Sequence, residues 1–235
     1  MWRNLKTTKT KICACLYGFR LLGLASALFV LVNLVVFVAL SFGPGLLEGF
    51  WLSADRPWGI VTSIFTHVDA PHLLGNLGFF LLYCLLFMGV SWNDDQKSRR
   101  DSSRIFLAVA LAAGIITNVV EFLAYWYPRG ITRPGSWGAS GVVYASGGVL
   151  LAFSLHNIPL LVQRIQKARR SRKRVGRWQL FVTVLPVIVI IWMFVCIQSG
   201  FGYGLAGVAH GLGFLLGFSM GVVLWALAEW RASLK

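Results

Sequence analysis

The sequence predicts an all-α polytopic membrane protein, a bundle of six transmembrane helices. Three observations carry this expectation. Of the 235 residues, 57% are hydrophobic and 13% are charged, a balance that no soluble domain of this size needs to fill a core. The apolar residues fall into runs of about 20, the length that crosses ~30 Å of hydrocarbon at ~1.5 Å per residue. The 22 Lys and Arg gather in the short segments between those runs, so the net charge of +14 points to a membrane surface and not to nucleic acid.

Met1 to Arg20 is basic like the head of a signal peptide, but the run Leu21 to Leu40 is nearer a full span than a signal core. It reads as an uncleaved first helix. The six spans lie near residues 20–41, 72–90, 105–126, 140–157, 179–199 and 206–228. The chain then divides into a basic N-terminal tail (1–19), a six-helix membrane domain (20–230) and a short C-terminal tail (231–235), with no internal repeat and no separate soluble domain.

Nineteen Lys and Arg fall on one side of the alternating spans, against Arg56, Arg129 and Arg133 on the other. The positive-inside rule therefore places both termini in the cytoplasm, residues 158–178 in a cytoplasmic basic loop and residues 42–71 in an outer loop. Phe50, Trp51, Trp58, Ile60 and Phe65 give that outer loop an interfacial character, expected as short amphipathic helices among the headgroups. Tyr125, Trp126 and Tyr127 mark the outer end of the third span. Pro128 to Gly138 is rich in Gly and Pro, irregular backbone that membrane depth tolerates only beside a wet cavity or inside protein. Cys13, Cys15, Cys84 and Cys196 form no C-x-x-C pair and read as free thiols. Short connections without soluble domains suggest a prokaryotic plasma membrane.

The chemistry centres on Trp137-Gly138-Ala139-Ser140-Gly141. Gly138 and Gly141 leave the Ser140 hydroxyl and N–H open to a substrate carbonyl. Ser140 and Tyr144 are four apart, hence on one face of the fourth span, and Ser140 lies in its first turn, where unpaired N–H groups favour a developing oxyanion. On the sixth span His210, Gly213 and Gly217 share a face, and Gly213, Gly217 and Gly221 make G-x-x-x-G steps that admit a close-packed helix. If the partner is the fourth helix, with Gly138, Gly141, Ala145 and Gly148, His210 comes within reach of Ser140 and the two make a Ser-His dyad. On the second span His72 and Asn76 point the same way and, with the Ser140 N–H, can form an oxyanion hole. Taken singly each has a plainer reading: Ser140 as packing, Asn76 as interhelical glue, His67 beside Asp69 as a structural hydrogen-bonding residue. His156 sits far from the others, and Asn118 and Glu121 in the third span have no evident partner.

Together the motifs H-x-x-x-N, G-x-S-G with Tyr144 four residues on, and A-H-x-x-G-x-x-x-G resemble the rhomboid family of intramembrane serine proteases, over roughly residues 58–221. The resemblance implies a six-helix rhomboid-like bundle in which Ser140 is the nucleophile, His210 the base, His72 and Asn76 the oxyanion side chains, and Tyr144 a packing partner of His210. It also implies transmembrane protein substrates cut near the outer face, with membrane lipids as the surroundings and no metal or cofactor. Two positions depart from the family pattern. Many members have Trp-Arg where this chain has Trp58-Gly59, and some carry a carboxylate low on the second span, where this chain reads Cys84 to Met88.

Water would enter from the outer side between the second, fourth, fifth and sixth spans. Gly200, Gly202 and Gly204 would make a flexible lid, with the substrate entrance beside the fifth span. The alternative is a catalytically silent rhomboid-like protein that binds transmembrane clients. A metalloprotein using His67, His72 and His210 fits poorly, since His67 and His72 are five apart and no H-E-x-x-H is present. A transporter lacks repeats and charges paired across spans.

Overall fold

The computed structural model describes residues 16–132, 135–171, 177–200 and 205–233. Six long helices form the bundle: α1 (Arg20–Ser41), α2 (Ala70–Val90), α3 (Gln96–Glu121), α4 (Ser140–His156), α5 (Arg177–Gly200) and α6 (Leu205–Ser233). Among the described residues, five of them belong to segments long and apolar enough to cross a membrane, and α5 contributes the apolar stretch Leu180–Met193. Among the described residues there is no strand, only isolated bridges such as Leu52 with Ser136.

Local chemistry sets the helix ends. The Asp69 carboxylate accepts the His72 N–H at 2.7 Å, and Pro71 occupies the first turn of α2, where its missing N–H is no loss. Asp95 accepts the N–H groups of Lys97 and Ser98 at 2.9 and 3.0 Å. That cap starts α3 more than two turns before the apolar run that the sequence marks at residue 105, so the charged residues there are helical. The far end of α3 widens into a π turn, Phe122–Trp126, and continues through Tyr127–Arg129. Gly130, with φ of 58°, then stops it in the left-handed region.

Between α1 and α2 lie only short helical turns, Pro44–Leu47, Glu48–Phe50, Gly59–Thr62 and Ser63–Phe65, with Phe42, Leu46, Phe50 and Trp58 exposed. A second difference from the sequence reading is Ile158–Ser171, which charge alone assigns to a loop and which forms a helix. Ile158, Leu161 and Ile165 repeat at helical spacing and Leu161 is buried, so one apolar stripe ties the basic segment to the bundle. Residues 172–176 lie outside the described residues, as do the N-terminal tail to residue 15, Arg133, Gly202 and Gly204.

The central element is α4, in which 12 of 17 residues are buried; helices surround it on every side. At one end of the bundle Phe87 of α2 packs on Phe106 of α3 and Phe153 of α4, and Trp225 of α6 closes the cluster on Phe153. The most extensive interface joins α4 to α6. Gly213 lies beside Gly141, Gly217 against Ala145 and Gly221 against Ala152, so the residue numbers rise together and the two helices run parallel. A Cβ on Gly217 would overlap the Ala145 carbonyl, and one on Gly148 the Phe214 carbonyl. Lipid tails are as apolar as the helices themselves, so such close backbone packing holds this pair together.

Gly217→Ala is expected to lower stability by about 1–3 kcal/mol, because its methyl meets rigid backbone. Gly78→Ala, at a position with nothing within 4 Å, is expected to be neutral or to stabilise by about 0.5–1 kcal/mol. Denaturation in mixed micelles distinguishes them, and equal effects would contradict this packing.

Candidate active site

The turn that carries Ser140 is fixed from two directions. Leu52 and Ser136 exchange backbone hydrogen bonds of 2.9 Å each, Ala54 N–H donates to the Ile131 carbonyl at 3.0 Å, and Gly138 N–H donates to the Ser63 carbonyl at 2.8 Å. Trp51 packs on Trp137 with ring centroids 4.8 Å apart and planes tilted by 36°. From the other side, buried Glu121 accepts hydrogen bonds from the Trp126 indole at 2.9 Å and the Ser136 hydroxyl at 3.4 Å. The π turn matters here, because its extra residue per turn brings a side chain at i+5 back over residue 121.

Gly138 has φ of 107°, a conformation that L side chains rarely adopt. A Cβ there would stand 2.7 Å from His72 Cε1, 2.9 Å from His72 Nε2 and 3.5 Å from Asn76 Nδ2. The loop thus brushes the two polar side chains of α2 immediately before Ser140 begins α4. No side chain caps this helix start, so its leading N–H groups and the positive end of its dipole are turned to whatever occupies the space beside Ser140. Ser140 and His72 are each half-buried, while Asn76 is buried.

His210 reaches the same place through the α4–α6 register. One turn back from the Gly213–Gly141 contact, its imidazole stacks on the Tyr144 ring with centroids 4.2 Å apart and planes 13° from parallel. Tyr144 lies one turn from Ser140 on the same face of α4, about 6 Å along the axis. The fold therefore gathers Ser140, His72, Asn76, Tyr144 and His210 at one end of α4, with Gly138, Gly141, Gly213 and Gly217 at the contacts that permit it. His156 lies at the other end of α4 against Trp225. Among the described residues no group of three His, Cys, Asp or Glu is placed to hold a metal.

The site also lies well short of the end of α3. A Cβ on Gly141 would come within 4 Å of Gly114 and Thr117 of α3, yet α3 and its extension run about a dozen residues further to Arg129, roughly 18 Å at helical rise.

A family model of the rhomboid domain matches residues 54–227. The chain belongs to the rhomboid family. A comparison with individually curated proteins finds no match. Within this rhomboid the departure at Trp58-Gly59 has a steric reason, since a Cβ on Gly59 would overlap the backbone of Trp51 and Leu52. Other residues anchor the loop: Trp58 Nε1 donates to the Gly49 carbonyl and Arg56 Nη1 to the Glu48 carbonyl, both at 2.8 Å. In the second departure, Cys84 stands 3.3 Å from the Ser26 hydroxyl of α1.

Asn118 and Glu121, which sequence reasoning left without a partner, and His67, which it read as a structural hydrogen-bonding residue, all have partners in this rhomboid. Asn118 Nδ2 donates to the Ile60 carbonyl at 2.9 Å and the Ser63 hydroxyl at 3.2 Å, tying the connection between α1 and α2 to α3. Glu121 holds the loop as described. His67, 2% exposed, accepts the Ala139 N–H on Nε2 at 3.3 Å and lies 3.1 Å from Asn76 Nδ2. No spacing rule marks His67, which lies in the short segment between Phe65 and the start of α2.

Burial, aided by His72, lowers the His67 pKa from its ordinary 6.5 to about 4, with Asp69 and the Phe65 backbone opposing in part. A folded-state pKa below the unfolded one contributes stability that is present above about pH 6.5 and lost as the pH falls toward 4. The melting temperature in detergent is expected to fall over that window, and to fall less in His67→Gln. An identical acid profile for the two proteins would contradict the assignment.

Proposed function

We propose that this rhomboid is an active intramembrane serine endopeptidase that cuts transmembrane segments of other membrane proteins with a Ser140–His210 dyad. The observation that carries the reading is the stack of His210 on Tyr144, one turn from Ser140 at an uncapped helix start. An imidazole held on an aromatic face at that position is oriented before substrate arrives.

A hydrogen-bonded helix hides its carbonyls, so a substrate helix unwinds locally to present the scissile bond to the serine. Ser140 Oγ attacks the carbonyl carbon while the His210 imidazole takes the hydroxyl proton. The carbonyl oxygen becomes an oxyanion, received by the His72 and Asn76 side chains and the leading N–H groups of α4. The C–N bond breaks, His210 returns the proton to the departing amine, and Ser140 is left acylated. Water, deprotonated by the same imidazole, then attacks the ester and frees the second product, restoring the Ser140 hydroxyl. In this reading the termini face the cytoplasm, as the basic residues suggest, and cleavage occurs near the outer face of a prokaryotic plasma membrane.

The test is labelling of the purified protein in detergent with a fluorophosphonate or isocoumarin probe, together with cleavage of a transmembrane substrate. Ser140→Ala and His210→Ala are each expected to reduce both by roughly 10³-fold or more while keeping the wild-type melting temperature. Turnover retained in either variant would sink the dyad. A wild type that resists every probe, under conditions that label an active relative, would favour a silent protein that holds its clients uncut.

A further inference from the structure

The side-chain and backbone halves of the oxyanion hole come from different elements, α2 and the start of α4, and one buried residue touches Asn76 of the first and the Ala139 N-cap of the second. We infer that His67 is a positioning residue that sets the spacing of the oxyanion hole by accepting hydrogen bonds on Nε2 from the Ala139 N–H and from Asn76 Nδ2. The inference rests on the serine-protease reading above.

A backbone N–H can only donate, so the 3.3 Å contact from Ala139 requires a lone pair on His67 Nε2. The ring is therefore the neutral tautomer with its proton on Nδ1. The same lone pair faces Asn76 Nδ2 at 3.1 Å, which orients that amide as a donor. An amide has two N–H groups, and the bond to His67 uses one; the other can serve a substrate oxygen beside Gly138. His67 also backs the third component, its ring lying edge-on to His72 with centroids 5.1 Å apart. The turn that presents it is held by Asp69, which caps α2 at the His72 N–H. With 2% of its surface exposed, His67 has no route to substrate and acts only through its neighbours. Donors aimed at an oxyanion are effective in proportion to how little they must rearrange, and a joint between two elements is where slack would enter.

The experiment uses the full chain in detergent or nanodiscs and compares wild type with His67→Ala, His67→Gln and His67→Met. Gln carries an acceptor oxygen at about the reach of Nε2, whereas Met fills similar space with a weak acceptor. Two quantities are read with a fluorophosphonate: the final labelled fraction, which counts intact sites, and the rate constant of the labelled fraction, which reports the hole. For His67→Ala and His67→Met the rate constant, and kcat on a transmembrane substrate, are expected to fall roughly tenfold to hundredfold with KM little changed. His67→Gln is expected to recover most of the loss.

A wild-type rate constant in His67→Ala, or a loss that His67→Gln does not recover, would overturn the inference while leaving the dyad standing. Loss of labelled fraction with an unchanged rate constant would mark a merely structural residue and overturn it as well. Should His67→Ala fail to fold, the contrast of Gln with Met decides in the same terms. A wild type that does not label removes the protease reading and this inference together.

Discussion

The structure depends on two parallel helices touching backbone to backbone. Where α6 crosses α4, Gly217 and Gly148 stand against carbonyl groups with no room for a methyl, and this proximity brings the His210 ring onto Tyr144. In a bilayer no water is expelled to drive two apolar helices together, so association rests on dispersion at short range. Dispersion falls steeply with distance, and a helix pair held apart by one methyl would lose both cohesion and the register that aligns residue 210 with residue 140. The glycines of α6 are therefore part of the same device as the imidazole.

The rest of the site is built by the segments that regular helices leave over. Residues 51–63 meet Ile131, Ser136 and Gly138 through backbone hydrogen bonds, and Trp51 packs on Trp137. Buried polar groups on α3, Asn118 and Glu121, meet donors or acceptors of these segments. The irregular backbone is thereby satisfied inside the bundle, as hydrocarbon surroundings require. The site residues sit on helix ends, and the loops serve to clamp those ends.

How much of this was legible in the chain follows from the range of each interaction. The apolar runs and the glycine steps are local and periodic, so the helices and the face of α6 could be read directly. His72, Asn76, Ser140 and His210 stood out because each is a polar or small exception in an apolar stretch. Helix starts were less visible: Asp95 caps α3 well before its apolar run, and the stripe of Ile158, Leu161 and Ile165 carries the basic segment on as a helix. His67 read only as a structural hydrogen-bonding residue beside Asp69, and Asn118 and Glu121 had no evident partner, since their partners lie far away in sequence or across the widened turn. Gly59 is the instructive case. As a sequence feature it was a missing arginine, and in space it is a contact too close for any side chain.

The stagger of the helix ends bears on the membrane itself. α4 begins level with Gly114 and Thr117 of α3, about 18 Å short of the end of the α3 extension at Arg129. A leaflet that covers the end of α3 therefore also stands over the start of α4, and next to Ser140 it must thin or give way to solvent. Hydrophobic mismatch then becomes a property of this protein's surroundings that its own dimensions impose: thicker, stiffer lipid would resist the dip above Ser140, and thinner lipid would accommodate it.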